Sequence, residues 1–242
     1  VRNPPRLWID AKEWNLDSFL YKYMWSPVKW TGRKLGYLTT PKVLRFFIPA
    51  YVLGALLFYY EAYVPAEIHA FLPLVFSVIG LTMVLKSFTE RIHARMSWIL
   101  VILNHFWVAL SISFNEHFEF SHTLLYLSGI SVLGLFGYII LRVLKSREGS
   151  IDLDQFRGYS YRHPRLALAF LIACLGVSGF PITPTFVGED LIFTHIHEDQ
   201  VLLALFTALS FIIDGLAIIR IYARVFLGPH VKSVYEMAYR SS

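Results

Sequence analysis

The sequence is poor in charged residues. They make up 16% of the 242 residues, whereas apolar residues make up 56%, and a soluble domain carries about 25% charged residues. The charges also fall in short blocks, which are separated by long stretches that are nearly free of charge. This distribution excludes an ordinary soluble domain and indicates an integral membrane protein.

Cysteine and cofactor motifs are equally scarce. Cys174 is the only cysteine, so the sequence has no disulfide framework, no CxxC and no iron–sulfur or zinc spacing. It contains no P-loop, no GxGxxG and no nucleophile elbow. The short HxHED run that starts at His195 resembles metal ligands, but no second ligand cluster completes a site. We therefore predict no catalytic centre, no metal and no cofactor within the chain.

Six stretches are apolar on all sides and long enough to cross a bilayer. A hydrocarbon core about 30 Å thick requires about 20 apolar residues in a helix, and lipid leaves exposed backbone groups without partners. Barrel strands instead alternate with a period of two over about ten residues. The sequence therefore predicts an all-α membrane protein with about six transmembrane helices. They run near residues 43–64, 67–87, 96–115, 121–144, 165–187 and 201–227.

Basic residues concentrate in alternate connections. The N-terminal arm, the second-to-third connection, the fourth-to-fifth connection and the tail are rich in Lys and Arg, whereas the other connections are acidic or neutral. The positive-inside rule then places both termini in the cytoplasm. Basic loops that face anionic lipid explain the net charge of +5, so we predict contacts with lipid and no nucleic-acid partner.

Residues 1–42 form the only sizeable region that does not span the membrane, and residues 43–242 form the transmembrane domain. The arm carries four Trp residues among basic residues, a pattern typical of the lipid headgroup level. It reads as an interfacial amphipathic helix that is broken at Pro27. The alternative is a soluble arm that packs on a partner subunit.

The fifth span is interrupted by two prolines. Pro181 and Pro184 lack backbone donors and clash with the preceding helical turn, which predicts a discontinuous helix near 179–193. If the break separates two spans, the count rises from six to seven. Irregular backbone is tolerated at membrane depth only where it is covered by protein or lines a cavity.

Three titratable residues within or beside the apolar stretches are candidates for ion translocation. Glu189 directly follows the break, where an ion site would be built, although it could equally lie solvated in the external loop. Asp214 lies well inside the sixth span, and its costly position indicates either a function or a structural hydrogen bond. His105, within the third span, could relay protons or could simply be satisfied by a neighbouring helix.

Three further residues are accessory candidates: Asp190, Arg220 and His122. Asp190 is adjacent to Glu189 beyond the break. Arg220 is too far along its helix from Asp214 for an i,i+4 pair, so we expect the partner of Asp214 on another helix. His122 lies near the external surface.

The block IDLDQFRGYSYRHPRLALAFLIACLGVSGFPITPTFVGEDLIF resembles the antiporter-like subunits of respiratory complex I, Mrp cation/proton antiporters and related complexes. The family pattern is an acidic residue, a Gly before a proline-started helix, a G-hydrophobic-P run and then F-x-G-E. The matching positions are Asp152, Gly158, Pro164, Gly179-Phe180-Pro181 and Phe186 to Glu189. With the ending IIRIYARVFLGP, the resemblance covers about residues 121–229, which correspond to the second antiporter-like repeat.

The resemblance implies a proton- or cation-translocating subunit, or part of a split one, within a multi-subunit membrane complex. Glu189 would be the exchangeable site. It also implies other membrane subunits as partners, including a chain that supplies the missing first repeat. An NADH-quinone oxidoreductase-like complex is one complex with which the resemblance is compatible. The expected location is multi-pass in the bacterial cytoplasmic (inner) membrane, with the mitochondrial inner membrane as the alternative.

One departure from the family pattern, together with the N-terminal arm, keeps two other functions open. The fourth span lacks the central Lys or His of the family, since its middle reads LSGISVLGLFGYII. A non-conducting structural subunit is therefore one alternative. The other is a membrane partner of a peripheral zinc protein in inorganic carbon uptake, which the basic, aromatic arm could dock.

Overall fold

The computed structural model describes residue 23 and residues 40–115 and 118–228. Most of the predicted interfacial arm and the end of the basic tail lie outside the described residues. Within these ranges the chain forms seven α-helices, a short 3-10 turn over Glu61–Tyr63, and no strand. The helices are α1 (Thr40–Tyr59), α2 (Ala66–Thr89), α3 (Ala94–Ser113), α4 (Phe120–Glu148), α5 (Pro164–Val177), α6 (Pro184–Phe193) and α7 (Val201–Phe226).

Four of these helices, α2, α3, α4 and α7, are long and apolar enough to cross a bilayer on their own. The apolar part of α1 and the whole of α5 are shorter. Large apolar side chains are exposed on the outer faces of the bundle, for example Phe46, Val132 and Ile219, as a lipid-facing surface requires. The prediction of an all-α, multi-pass membrane protein is confirmed.

The predicted discontinuous helix is present. The helix α5 ends at Val177, and α6 begins at Pro184, which fills the first helical position. Its N-cap is Thr183, whose hydroxyl accepts a hydrogen bond from Phe186 N at 3.3 Å. Between the helices Gly179 has φ +68° and Ile182 has φ +90°, values that end any regular helix. The two prolines thus divide a single apolar stretch into two half-helices.

Packing brings the middle helices around one core. The helix α3 lies between α2, α4 and α7, and α4 in turn packs on α5 and α6. Trp98 of α3 is fully buried and donates a hydrogen bond from Nε1 to Gly134 O of α4 at 2.8 Å. An added Cβ at Gly137 would lie 2.5 Å from the Trp98 ring, so α4 can approach α3 closely only because glycine stands there.

The connection between α4 and α5 holds the last turn of α7. Four consecutive backbone N–H groups of the connection, from Arg157 to Ser160, donate to carbonyl oxygens of Arg224, Leu227, Val225 and Phe226 respectively, at 2.9–3.3 Å. The last carbonyls of a helix have no partner within the helix itself. Here the neighbouring connection supplies their donors.

Candidate functional site

His105 links two other polar side chains within the buried core. Its Nδ1 lies 2.6 Å from the Tyr126 hydroxyl and its Nε2 lies 3.1 Å from Asp214 Oδ2. The three side chains are almost fully buried, with relative exposures of 1%, 0% and 2% for His105, Tyr126 and Asp214. The contacts join α3, α4 and α7, and as expected the partner of Asp214 is on another helix.

The geometry places an imidazole between a phenol and a carboxylate. In the tautomer with the hydrogen on Nε2, the Tyr126 O–H donates to Nδ1 and Nε2–H donates to Asp214, so both ring nitrogens are satisfied. A buried carboxylate needs such a donor because its desolvation is costly. Phe211, one turn before Asp214, packs its ring 5.7 Å from the His105 ring and holds the imidazole in place. The three residues form a continuous hydrogen-bonded line across the bundle.

Glu189 lies beside this line on the half-helix α6. Its side chain is half-buried and lies within electrostatic range of His105, Asp214 and Tyr126. Its Oε2 lies so close to Gly179 that a Cβ at this position would overlap it. The positive φ of Gly179 and the missing Cβ together let the carboxylate turn back over the break.

Two glycines set the position of α6 against α4. A Cβ at Gly188 would lie 2.5 Å from Tyr126 Cα, and a Cβ at Gly129 would lie 2.5 Å from Thr185 Oγ1. The two backbones therefore touch at the residue before Glu189 and at Tyr126 itself. This contact explains why Glu189 and Tyr126, from different helices, share one site.

Several buried polar atoms around the site have no partner among the described residues. They are the amide of Asn104, the hydroxyls of Thr123, Thr185 and Thr207, and Asp214 Oδ1. An unsatisfied buried polar group costs about 1–3 kcal/mol, and internal water is the usual partner of such groups. The polar atoms lie on α3, α4, α6 and α7, the same helices that carry the titratable groups.

A second polar cluster closes the end of the bundle near the α6–α7 connection. His122 Nδ1 lies 3.0 Å from His195 Nε2, and His122 Nε2 lies 3.1 Å from Glu119 Oε2. Asn115 and Gln200 exchange two side-chain hydrogen bonds of 3.0 Å. Asn115 also donates to His195 O at 2.9 Å. His122 lies one turn before Tyr126 on α4, so this cluster lies next to the buried line.

The structure brings together Glu189, Asp214 and His105, but it places the accessory candidates Asp190 and Arg220 elsewhere. Asp190 is exposed on α6. Arg220 lies six residues after Asp214 on α7, about 9 Å along the helix axis, and its guanidinium stacks 5.7 Å from the Phe88 ring centroid. Arg220 is thus nearer to the charged ends of α2 and α7 than to His105.

Two members of the site carry little signal in the sequence. His195 is marked only by the weak HxHED pattern, and no motif singles out Tyr126. Lys86, at the end of the second apolar stretch, lies within the last turn of α2 and is 8% exposed. No group of three His, Cys, Asp or Glu side chains forms a metal site within the described ranges.

Comparison with known proteins gives a family match over most of the chain. The family described as NADH:quinone oxidoreductase/Mrp antiporter, transmembrane, matches residues 48–213. The match includes α2 and α3 as well as the later block, and it contains His105, Tyr126 and Glu189. The resemblance identified from the Pro181–Glu189 pattern is confirmed by this match.

Individual relatives are matched over shorter segments. NADH-ubiquinone oxidoreductase chain 4 of Dictyostelium citrinum is 35% identical over 98 residues, 40% of this chain and 23% of the relative. NADH-quinone oxidoreductase subunit M of Rickettsia felis is 31% identical over 41% of this chain and 22% of the relative. Subunit N of a Mycobacterium species is 29% identical over 48% and 24%. The chain thus spans less than a quarter of these relatives, and no solved structure matches it significantly.

Proposed function

The chain belongs to the NADH:quinone oxidoreductase/Mrp antiporter transmembrane family, and from this membership and its buried polar line we propose that it translocates protons as a subunit of a multi-subunit membrane complex. The predicted location as a multi-pass inner-membrane protein is confirmed by the apolar helices and by the subunit M and N relatives. The relatives are named as subunits of NADH-quinone and NADH-ubiquinone oxidoreductases, which supports a hetero-oligomeric host.

The observation that carries the proposal is the line from Tyr126 through His105 to Asp214. Both imidazole nitrogens are engaged, one with a hydroxyl and one with a carboxylate, and this is the arrangement in which a histidine passes a proton from one side to the other. Ionisable groups inside a membrane bundle are costly, and such groups commonly mark ion pathways.

In the proposed transfer, Tyr126 accepts a proton from the Glu189 side while its own hydroxyl proton moves to His105 Nδ1. The imidazolium then releases the Nε2 proton to Asp214. The ring is left neutral with its hydrogen on Nδ1, so a ring flip or a return transfer restores the starting tautomer. The Tyr126–His105–Asp214 line gains one proton when Glu189 delivers its proton, and it loses one when Asp214 releases a proton.

Water would complete the path where side chains do not touch. The unpartnered atoms of Thr123, Thr185, Thr207 and Asp214 are positions where water satisfies a buried group. We infer that these positions connect Glu189 to Tyr126 and carry protons away from Asp214 Oδ1.

His105 also bears on the alternative of a non-conducting subunit, which follows from the absence of Lys and His at the middle of α4. The neighbouring helix α3 places the His105 imidazole 2.6 Å from the Tyr126 hydroxyl of α4. A basic titratable side chain therefore lies against α4 although the middle of α4 itself carries none. This supports a conducting role.

A sister chain would supply the rest of the antiporter-like unit. This part of the proposal rests on the length of the match, since the relatives extend well beyond the segment that resembles this chain. Contact with membrane lipid is proposed for the exposed apolar faces of the bundle.

The decisive experiment replaces Glu189 with Gln in the intact membrane complex and measures proton uptake in sealed vesicles. We expect uptake to be abolished while the complex still assembles, because the amide keeps the shape of the side chain but cannot exchange a proton. The matched control is Asp190→Asn, which removes the adjacent exposed carboxylate and should leave uptake unchanged. Normal uptake by Glu189→Gln would refute the role of Glu189.

A further inference from the structure

A cavity of about 100 Å³ opens between the α2–α3 connection, the start of α3 and the end of α4. The positive-inside rule assigns this end of the bundle to the cytoplasm. Arg95, Lys145, His93, Gly149 and Asp152 are among its lining residues. The cavity shares no residue with the Tyr126–His105–Asp214 line.

The cavity carries two cations that have no partner among the described residues. Neither Arg95 nor Lys145 forms an ion pair or side-chain hydrogen bond there, and both side chains are only partly exposed. Asp152 also lines the cavity, but its Oδ2 accepts from Arg157 Nη2 at 2.8 Å and from Ser150 Oγ at 2.7 Å. The charge that remains for a ligand is therefore positive.

His93 and Glu90, beside the cavity, change its positive charge little. His93 Nδ1 lies 3.8 Å from Glu90 Oε1, and the same Glu90 oxygen accepts from Ile92 N at 3.1 Å. Glu90 therefore bonds within its own connection, and it also lies within electrostatic range of Arg220. The positive charge of the cavity rests on Arg95 and Lys145.

The backbone adds donors at the same place. His93 is the N-cap of the 20-residue helix α3, and its side chain makes no capping hydrogen bond. The first N–H groups of a helix have no internal partners, so those of Ala94 and Arg95 point out of the helix start. Together with the two cations they suit an anion with several acceptor oxygens.

The walls of the cavity are held by buried contacts. Leu153 N donates to Arg91 O at 2.8 Å and ties the α4–α5 connection to the α2–α3 connection. Tyr159 O–H donates to Ser150 O at 2.7 Å, and burial raises the pKa of this phenol, so it remains a donor at physiological pH. Ile151 and Leu153 are 3% and 1% exposed. The two connections therefore form a built site rather than a loose surface.

We propose that this cavity binds a phosphate group at the cytoplasmic membrane surface. An anionic phospholipid and free phosphate offer the same chemistry. The surroundings favour the lipid, because Ile92 in the cavity lining is 63% exposed and α4 exposes Leu135 and Ile139 within three turns of Lys145. Acyl chains can lie on this apolar surface while the headgroup reaches the cations.

The test compares two double variants of the intact complex in an uncharged detergent. Arg95→Gln/Lys145→Gln removes the cations of the cavity, whereas Arg142→Gln/Arg147→Gln removes two exposed cations of α4 that do not line it. Native mass spectrometry measures the binding of phosphatidylglycerol, phosphatidylcholine and inorganic phosphate to each.

We expect wild type to bind one phosphatidylglycerol more tightly than phosphatidylcholine. The cavity variant should bind it at least about tenfold more weakly, a loss of about 1.4 kcal/mol, and the control variant should bind it within about twofold of wild type. Phosphatidylglycerol binding that is lost only in the cavity variant assigns the site to lipid, and the same pattern with inorganic phosphate alone assigns it to a soluble source. Equal affinity of the two double variants would overturn the proposal. If the double variant does not assemble, Lys145→Gln alone gives the same comparison against Arg142→Gln.

Discussion

The Nε2 atom of His105 lies 3.1 Å from Asp214 Oδ2 although the two residues are 109 positions apart. The contact joins α3 to α7 in the interior of the bundle. Each residue satisfies the other, and the loss of either would leave a buried polar group without its partner. Transport and stability at this site can therefore be separated by the choice of substitution.

Asp214→Asn should abolish proton uptake with little loss of stability. The amide oxygen can still accept from His105 Nε2, so the hydrogen bond is kept, but the amide cannot take up the proton. Asp214→Leu, which removes the acceptor, should also lower the free energy of unfolding by about 1.5–3 kcal/mol. Vesicle uptake and thermal unfolding of both variants measure the two effects. Asp199→Asn, an exposed carboxylate of the α6–α7 connection, is the control, and full uptake by Asp214→Asn would remove Asp214 from the path.

Tyr126→Phe should slow proton uptake by about tenfold or more, equivalent to at least about 1.4 kcal/mol in the barrier, because Nδ1 of His105 loses the hydroxyl that lies 2.6 Å away. The aromatic ring stays in place, so the loss of stability should remain near 1 kcal/mol. Tyr138→Phe is the matched control on the same helix, since Tyr138 packs at the edge of the core away from His105. Equal rates for the two variants would contradict the proposed relay.

Gly188→Ala should destabilise the protein by about 1–3 kcal/mol and reduce uptake, because the new methyl group would meet the Tyr126 backbone and push α6 off α4. Gly215→Ala on α7 is the control. An added Cβ there meets nothing within 4 Å, so the substitution should be neutral or stabilise the helix by up to about 1 kcal/mol. Denaturant unfolding and vesicle uptake of the two variants measure these effects. Equal free energies of unfolding for Gly188→Ala and Gly215→Ala would show that the α4–α6 contact tolerates a side chain.

His122→Ala should loosen the α6–α7 connection, since the imidazole contact with His195 is one of the side-chain links that hold this segment to α4. Hydrogen exchange of the amides in residues 194–200 should become faster, while exchange in α2 and α3 stays unchanged. His69→Ala, which removes a contact with Glu61 at the start of α2, serves as the control. Unchanged exchange at 194–200 would show that the His122–His195 contact does not hold the connection.

The sequence was sufficient for those features that local chemistry dictates. Pro181 and Pro184 both lack a backbone donor and clash with the preceding turn, so the break between α5 and α6 was predictable from two prolines so close together. Glu189, Asp214 and His105 stand out because titratable side chains are costly in apolar spans. Their roles remain proposals. The sequence places His105 and Asp214 inside apolar spans, whereas it leaves Glu189 equally compatible with the break and with the external loop.

The relationships between helices were not predictable in the same way. A tyrosine within a membrane helix carries no cost that would mark it, so nothing distinguished Tyr126 from Tyr138 on the same helix. The His122–His195 contact depends on how the α6–α7 connection folds back towards α4. Hydropathy also places the end of a helix only approximately: the second apolar stretch ends near residue 87, whereas the structure continues α2 to Thr89.

The hydrogen bonds between residues 157–160 and the last turn of α7 have a mechanical consequence. They join the last turn of α7 to the connection that leads into α5, so we expect a rotation or shift of this end of α7 to carry the start of α5 with it. Asp214 lies on α7, whereas Glu189 lies on α6, beyond the irregular residues 178–183 that follow α5. We therefore expect a change in the separation of Asp214 and Glu189 to require backbone rotation within residues 178–183.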